Sequence, residues 1–124
     1  MAVPAIHLAV SRGFVIDDGE RRVYFAGDTY FGRFMHEIRA RLAPDVALMP
    51  VTSFRLPPTM REKGAVRAVS AIAPEVVIPI HLGITPRSPL LRTSDSPEHF
   101  ASRLREAGLA ADVRILREGE SWTG

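Results

Sequence analysis

The chain has 124 residues, 46% of them hydrophobic and 24% charged, the profile of one ordinary globular domain and not of a disordered or low-complexity polymer. Sixteen Lys and Arg stand against 14 Asp and Glu, a net charge of +2, and bases and acids are interleaved, so no nucleic-acid surface is read from them. The absence of cysteine excludes disulfides, thiol catalysis and Cys-ligated zinc. No apolar run approaches the roughly 20 residues of a membrane span, and Met1-Ala2-Val3-Pro4 lacks the basic and long apolar regions of a signal peptide, so a cytoplasmic location is expected.

The chain opens with β structure. Residues 2–8 are apolar apart from His7, with Pro4 confining the strand to an edge or a beginning. Two further runs, near 13–17 and 22–26, flank Asp17-Asp18-Gly19-Glu20, a hairpin turn in which Asp-Gly accepts the required positive φ. Phe34, Ile38 and Leu42 then recur every four residues, predicting a helix near 30–42 that Pro44 ends. Val46-Ala47-Leu48-Met49-Pro50 is apolar throughout, as parallel strands covered on both faces are. A proline-stiffened loop follows at 52–61. Val66, Val69 and Ile72 mark a helix near 62–73, and Val76-Val77-Ile78-Pro79-Ile80 is a strand. After an irregular stretch at 82–96, Ser96-Pro97 reads as an N-cap with Pro in the first turn. The helix of 97–107 buries Phe100, Leu104 and Ala107, Gly108 closes it, and a short strand is expected near 112–116. Alternating strands and helices predict a single α/β layered domain. No internal repeat is read.

Three apolar runs end in a metal-capable side chain: His7, Asp28 and His81. An imidazole or carboxylate at the end of a buried strand is costly unless paired or ligated. Two His and one Asp in such places point to a first-row metal. The alternative for Asp28 is that it caps the helix after it. His36 and His99 fall among polar residues and are read as solvated. The motifs of serine hydrolases, P-loops and dinucleotide folds are absent. An aspartyl phosphatase would also place an Asp after a strand, but the second Asp its pattern needs two positions on is here Tyr30.

These residues carry a family resemblance. Pro4-Ala5-Ile6-His7, Gly13-Phe14-Val15-Ile16, Tyr24-Phe25-Ala26-Gly27-Asp28-Thr29, Pro44 to Val51, Pro58-Thr59-Met60, Val77-Ile78-Pro79-Ile80-His81 and Gly119-Glu120 resemble, in order and spacing, the C-terminal half of a metallo-β-lactamase-fold hydrolase. The branch most resembled is that of ascorbate-6-phosphate lactonase-like and N-acyl-phosphatidylethanolamine phospholipase D-like proteins. The resemblance implies an α/β half of an αββα sandwich, a mixed sheet covered by helices, with residues 1–124 as one C-terminal portion. It implies two zinc or manganese ions in the complete family, with His7 on the first, His81 on the second and Asp28 bridging as the catalytic carboxylate. Thr29 would orient that carboxylate, or alternatively start the helix. A metal-bound hydroxide would attack an ester, lactone or phosphodiester of a small-molecule substrate. The loop Pro57-Pro58-Thr59-Met60 and residues 83–95 would border the cleft, with Arg87 or Arg92 meeting an anion; no substrate-binding residue is assigned.

The family's H-x-H-x-D-H motif is absent from this sequence, leaving each metal two protein ligands where zinc takes three or four. The chain alone is therefore expected to hold metal partially or not at all, and to be inactive. Half a sandwich exposes one apolar sheet face, which predicts self-association, as in a homodimer, or a separately encoded N-terminal half. The reading from another class is a non-catalytic α/β subunit or scaffold.

Overall fold

The computed structural model describes residues 2–5, 11–53, 59–82 and 86–124, with backbone alone for 2–5 and 11. Its elements are β1 (Ala2–Ala5), β2 (Ser11–Asp17), β3 (Arg22–Phe25), α1 (Phe34–Leu42), β4 (Val46–Pro50), α2 (Glu62–Ile72), β5 (Val76–Ile80), a 3-10 turn (Pro89–Leu91), α3 (Pro97–Glu106) and β6 (Asp112–Val113). The strands form one sheet in sequence order. β1, β2 and β3 are antiparallel, and β3 to β6 are parallel. The mixed sheet and its helices agree with the expected fold class.

The β2–β3 hairpin closes on its own side chains. The Asp17 carboxylate accepts from the Gly19 N–H at 2.9 Å and from the Arg22 guanidinium at 2.7 Å, and Asp18 accepts from the Glu20 and Arg21 N–H groups. The bond from Arg22, then that from Gly19, holds the Asp17 carboxyl below its ordinary range. Gly19 takes the positive φ of the turn, +91°.

Two differences from the sequence-based expectations follow from backbone hydrogen bonds. Helix α1 begins at Phe34, not near residue 30. The Thr29 carbonyl accepts the Met60 N–H at 2.7 Å, which ties the preceding segment to the α2 side, and the Gly32 carbonyl takes the Met35 N–H to start the helical turn. β6 is two residues long. After the Arg114 N–H has bonded the Val77 carbonyl, the chain leaves the sheet for a turn between Arg117 and Glu120. The expected strand through residue 8 runs into residues outside those described.

The fold also contains a repeat that the sequence reading missed. Ala43-Pro44-Asp45-Val46 and Ala73-Pro74-Glu75-Val76 are equivalent helix-to-strand junctions. Both alanines are left-handed, with φ of 40° and 50°, and each N–H bonds back to the last helical turn. The proline stops each helix. The acid that follows opens the ladder: Asp45 N–H bonds the Arg22 carbonyl, Glu75 N–H the Asp45 carbonyl and Asp112 N–H the Glu75 carbonyl.

All three helices lie on one face of the sheet. Val15, Tyr24, Ala47, Met49 and Val77 point from the strands into a core shared with Met35, Ile38, Ala65, Ala68, Val69, Ile72, Phe100 and Leu104. On α2 the buried stripe is Ala65, Ala68, Val69 and Ile72, with Val66 only half-buried, and on α3 the expected Ala107 is exposed beyond the helix end.

Buried Glu62 opens α2 and staples it to α3. Its carboxylate accepts from the Ser96 N–H at 3.2 Å, lies 3.0 Å from His99 Nδ1 and accepts from Arg103 Nε at 3.0 Å. His99 is exposed, as read from the sequence, but its Nδ1 is hydrogen-bonded to Glu62 and it is not simply solvated. Because Arg103 and His99 return to water when Glu62 is removed, Glu62→Ala is expected to lower the unfolding free energy by about 1–3 kcal/mol. Asp17→Ala, at an exposed pair screened by water, is expected to cost less than Glu62→Ala. Urea denaturation of both variants checks the order, and equal costs would deny Glu62 its role as staple.

Candidate metal centre

The parallel strands β3, β4 and β5 run in register, Val23 beside Val46 beside Val76. Their carboxyl ends therefore fall along one edge of the sheet, where open α/β sheets place reacting groups. Asp28 follows β3 and His81 follows β5, with β4 between them. Two strand steps of roughly 4.8 Å separate β3 from β5 along that edge.

β3 reaches this edge through a constrained turn. The Ala26 N–H extends the ladder to the Leu48 carbonyl at 2.9 Å. Gly27 is left-handed, φ +65°, and a Cβ there would sit 3.1 Å from the Arg12 carbonyl oxygen of β2. Only glycine lets the chain pass so close and present Asp28 immediately afterwards. Asp28 does not cap the helix: the N-cap of α1 is Arg33 and has no side-chain cap bond. Thr29 does not start that helix either. It is fully buried, and its hydroxyl donates to the Tyr30 carbonyl at 3.0 Å.

β4 leads into Thr52 and Ser53. The Thr52 hydroxyl donates to the His81 carbonyl at 3.2 Å, pinning the end of β5. His81 has φ +63°, a region that costs a residue with a Cβ on the order of 1 kcal/mol and that clusters at functional sites. Its Nδ1 is buried and has no hydrogen-bond partner among the described residues, and the same holds for the buried hydroxyls of Tyr24, Ser53 and Thr59. A buried imidazole nitrogen without a partner has lost its hydration with nothing in return. An N and O donor pair with such an atom fits a first-row metal.

The rim of this edge is fixed by polar bonds. Thr93 donates to the Ser53 carbonyl at 3.0 Å, and Arg61 grips buried Asp95 through Nε and Nη2 at 2.6 and 3.0 Å. That pair holds the Arg61 guanidinium above its ordinary range. It also ties residues 86–96 to the start of α2. Arg87 and Arg92 are exposed on that segment, and Arg92 Nε bonds the Pro86 carbonyl. The sequence reading missed Ser53 and the Arg61–Asp95 clamp. Nothing local marks a pair 34 residues apart, although Ser53 stands close after a strand end, as Asp28 does.

Of the three expected ligands, Asp28 and His81 come to the same sheet edge, while His7 lies outside the described residues, as do Pro57 and Pro58 of the expected cleft loop. Among the described residues no three His, Asp or Glu side chains gather as a metal-binding group.

The model of the beta-lactamase superfamily domain matches residues 2–82. The chain belongs to the beta-lactamase superfamily. It is 42% identical over 110 residues to a UPF0173 metal-dependent hydrolase of Methanopyrus kandleri, covering 89% of this chain and 44% of that protein. It is 40% identical over 121 residues to a UPF0173 metal-dependent hydrolase of Aeropyrum pernix, covering 96% and 47%. A solved metallo hydrolase of Ignicoccus hospitalis superposes with TM-score 0.77 at 34% identity, over 96% of this chain and 49% of that one. The metallo-beta-lactamase fold protein YhfI of Bacillus subtilis, at 14% identity and TM-score 0.74, shows the fold alone, over all of this chain and 48% of that one. The chain thus spans about half the length of the curated relatives it matches.

Gly27→Ala is expected to destabilise more than Gly19→Ala. Both residues are left-handed, but a Cβ at Gly19 meets nothing within 4 Å, so that variant pays only the conformational cost of about 1 kcal/mol. The excess at Gly27, read by urea denaturation, measures the close approach that aims Asp28; no excess would deny it.

Proposed function

We propose that this chain supplies the C-terminal part of a metal-dependent hydrolase centre, with His7, Asp28 and His81 as the metal-holding residues and Asp28 as the carboxylate shared between two ions. The observation that carries the reading is the Nδ1 of His81, buried and unpartnered among the described residues, held on a left-handed backbone at the sheet edge that Asp28 also occupies. When bound, a first-row metal activates water as a nucleophile near neutral pH and stabilises developing negative charge on an acyl or phosphoryl oxygen.

The chain's own residues do the positioning. Gly27 sets the direction in which Asp28 leaves β3. Thr29, the buried residue that follows Asp28, is assigned the orienting role that outer-shell partners play for ligands. Thr52 pins the backbone of His81. Residues 86–96, fastened by Arg61–Asp95 and Thr93, wall one side of the substrate cleft, and exposed Arg87 and Arg92 suit an anionic small molecule. Esters, lactones and phosphodiesters are the substrate classes this chemistry serves. Zinc or manganese suits the His and Asp donors; a neighbour of the same fold from Streptomyces venezuelae, at 16% identity, is a diiron β-hydroxylase, so iron belongs among the metals tested.

Three ligands divided between two ions leave each ion short of the three or four protein ligands that zinc takes. The remaining ligands come from a complementary half, which also packs on the exposed Phe14, Ile16 and Phe25 of the open face. The chain alone is then a weak metal binder and inactive.

Titration of the purified, metal-free chain with zinc, manganese and ferrous iron, followed calorimetrically, tests the assignment. The expected result is weak binding that falls on the order of 10-fold or more in each of His7→Ala, Asp28→Ala and His81→Ala. Binding that none of the three substitutions changes would overturn the ligand set and favour a scaffold role.

A further inference from the structure

The sheet face turned away from the helices carries Phe14 and Ile16 of β2, Val23 and Phe25 of β3, Val46 and Leu48 of β4, and Val76, Ile78 and Ile80 of β5. These alternate with the core-facing residues, and the register lines them up in rows. One row reads Ile16, Val23, Val46, Val76, Asp112 and the next reads Phe14, Phe25, Leu48, Ile78. Among the described residues no helix covers this face, yet its exposure is uneven. Ile16 is 62% exposed, Phe14 48% and Phe25 40%, whereas Val46 is 2% and Ile78 9% exposed. Neither Val46 nor Ile78 belongs to the core under the helices. Leu48, Val76 and Ile80 are half-buried, so the cover on β4 and β5 is partial, closes over Val46 and Ile78, and stops short of β2.

The C-terminal segment, residues 114–124, meets that description. It starts at the β6 edge, where Asp112 and Arg114 pair with each other at 2.6 Å on the side opposite core-facing Val113. It ends at the hairpin: the Arg21 guanidinium lies over the Trp122 ring, 5.4 Å from its centroid. Gly124, at φ +73°, is pressed against the same guanidinium so closely that a Cβ would stand 2.5 Å from Nη1. Arg21 immediately precedes β3 and has the alternation of Val23 and Phe25, the open-face side. Between β6 and β3 lie β5 and β4, a span of roughly 14 Å at about 4.8 Å per strand. A chain of this length covers it even with the turn at Arg117–Glu120.

We infer that residues 114–124 form a strap across the β4–β5 part of the open face, latched by the cation–π contact of Arg21 with Trp122. The strap shields Val46 and Ile78 and leaves the β2–β3 ridge of Phe14, Ile16 and Phe25 uncovered. It sets a boundary on the apolar surface: whatever packs on the open face of this chain meets the ridge first and reaches β4 and β5 only by displacing the strap. This inference rests on the tail and the sheet, and stands whether or not the chain holds metal.

Trp122 is the single tryptophan of the chain, so its fluorescence reports the strap alone. Arg21→Ala removes the latch but keeps the Arg21 N–H that bonds Asp18, so the hairpin survives; far-UV circular dichroism verifies this. The expected result is a red shift of Trp122 emission, stronger acrylamide quenching and increased binding of the apolar dye ANS as Val46 and Ile78 open. Arg21→Lys keeps a cation over the ring and is expected to stay near the parent chain in all three readouts. A chain truncated after Ile115 gives the dye signal of a fully released strap. A folded Arg21→Ala chain with unchanged emission, quenching and dye binding would overturn the strap.

Discussion

The candidate centre depends on the in-register parallel pairing of β3, β4 and β5. Each strand enters the ladder through the backbone of the residue that precedes it or opens it: Asp45 on Arg22, Glu75 on Asp45, Asp112 on Glu75. That chain of bonds fixes the level at which every strand starts. Because β4 and β5 are equally long, it also fixes the level at which they end. Asp28 reaches the same edge because the Ala26 N–H carries β3 one step further along β4 before the Gly27 turn. A shift of β5 by one residue against β4 would turn Val77 out of the core and Ile78 into it. It would also move His81 along the edge, so packing on the helix face and alignment at the centre are the same constraint.

Much of this was legible in the sequence because the strands are short, apolar and punctuated. Val46 to Pro50 and Val76 to Ile80 are bounded by Pro44 and Pro74 before them, and the periods of α2 and α3 need no partner to be read. What failed was non-local. Phe34, Ile38 and Leu42 gave the inward side of α1 but not its start, which is set by Met60 reaching back to Thr29. His99 looked solvated because its partner, Glu62, is 37 residues away. A signal for that pair was present: Glu62, Ala65, Val69 and Ile72 share one helical face, and an acid on an apolar stripe needs a partner. The paired Ala-Pro-acid-Val junctions were also visible, and four residues are simply too few to stand out as a repeat.

The candidate ligands were legible for a different reason. Asp28 and His81 were chosen because polar groups at the ends of buried strands are expensive, and the structure gives that expense a form. His81 has a buried nitrogen without a partner among the described residues and a left-handed backbone, two costs in one residue that packing does not repay. Thr52 holds that backbone in place. Asp28 follows a glycine that nothing larger can replace without pushing on β2. Local rules are broken on both sides of the same edge, and such violations concentrate where a fold serves something other than its own stability.

The sheet itself is only half used. One face is sealed by three helices, and the other carries as regular an apolar alternation with no helical layer above it among the described residues. A face of this kind draws association wherever it stays exposed. The relatives are about twice as long as this chain. This chain answers part of the demand with its own C-terminus, and the answer follows the gradient of burial across the strands. Val46 and Ile78 are closed although neither belongs to the core under the helices, Phe14 and Phe25 stay open although they are larger, and Ile16 stays open although it is the same residue type as Ile78. Size and hydrophobicity alone would have covered the phenylalanines first. That they were not covered means the position of the tail is set by its anchors, β6 at one end and Arg21 at the other, and the exposed ridge is the remainder those two anchors cannot reach.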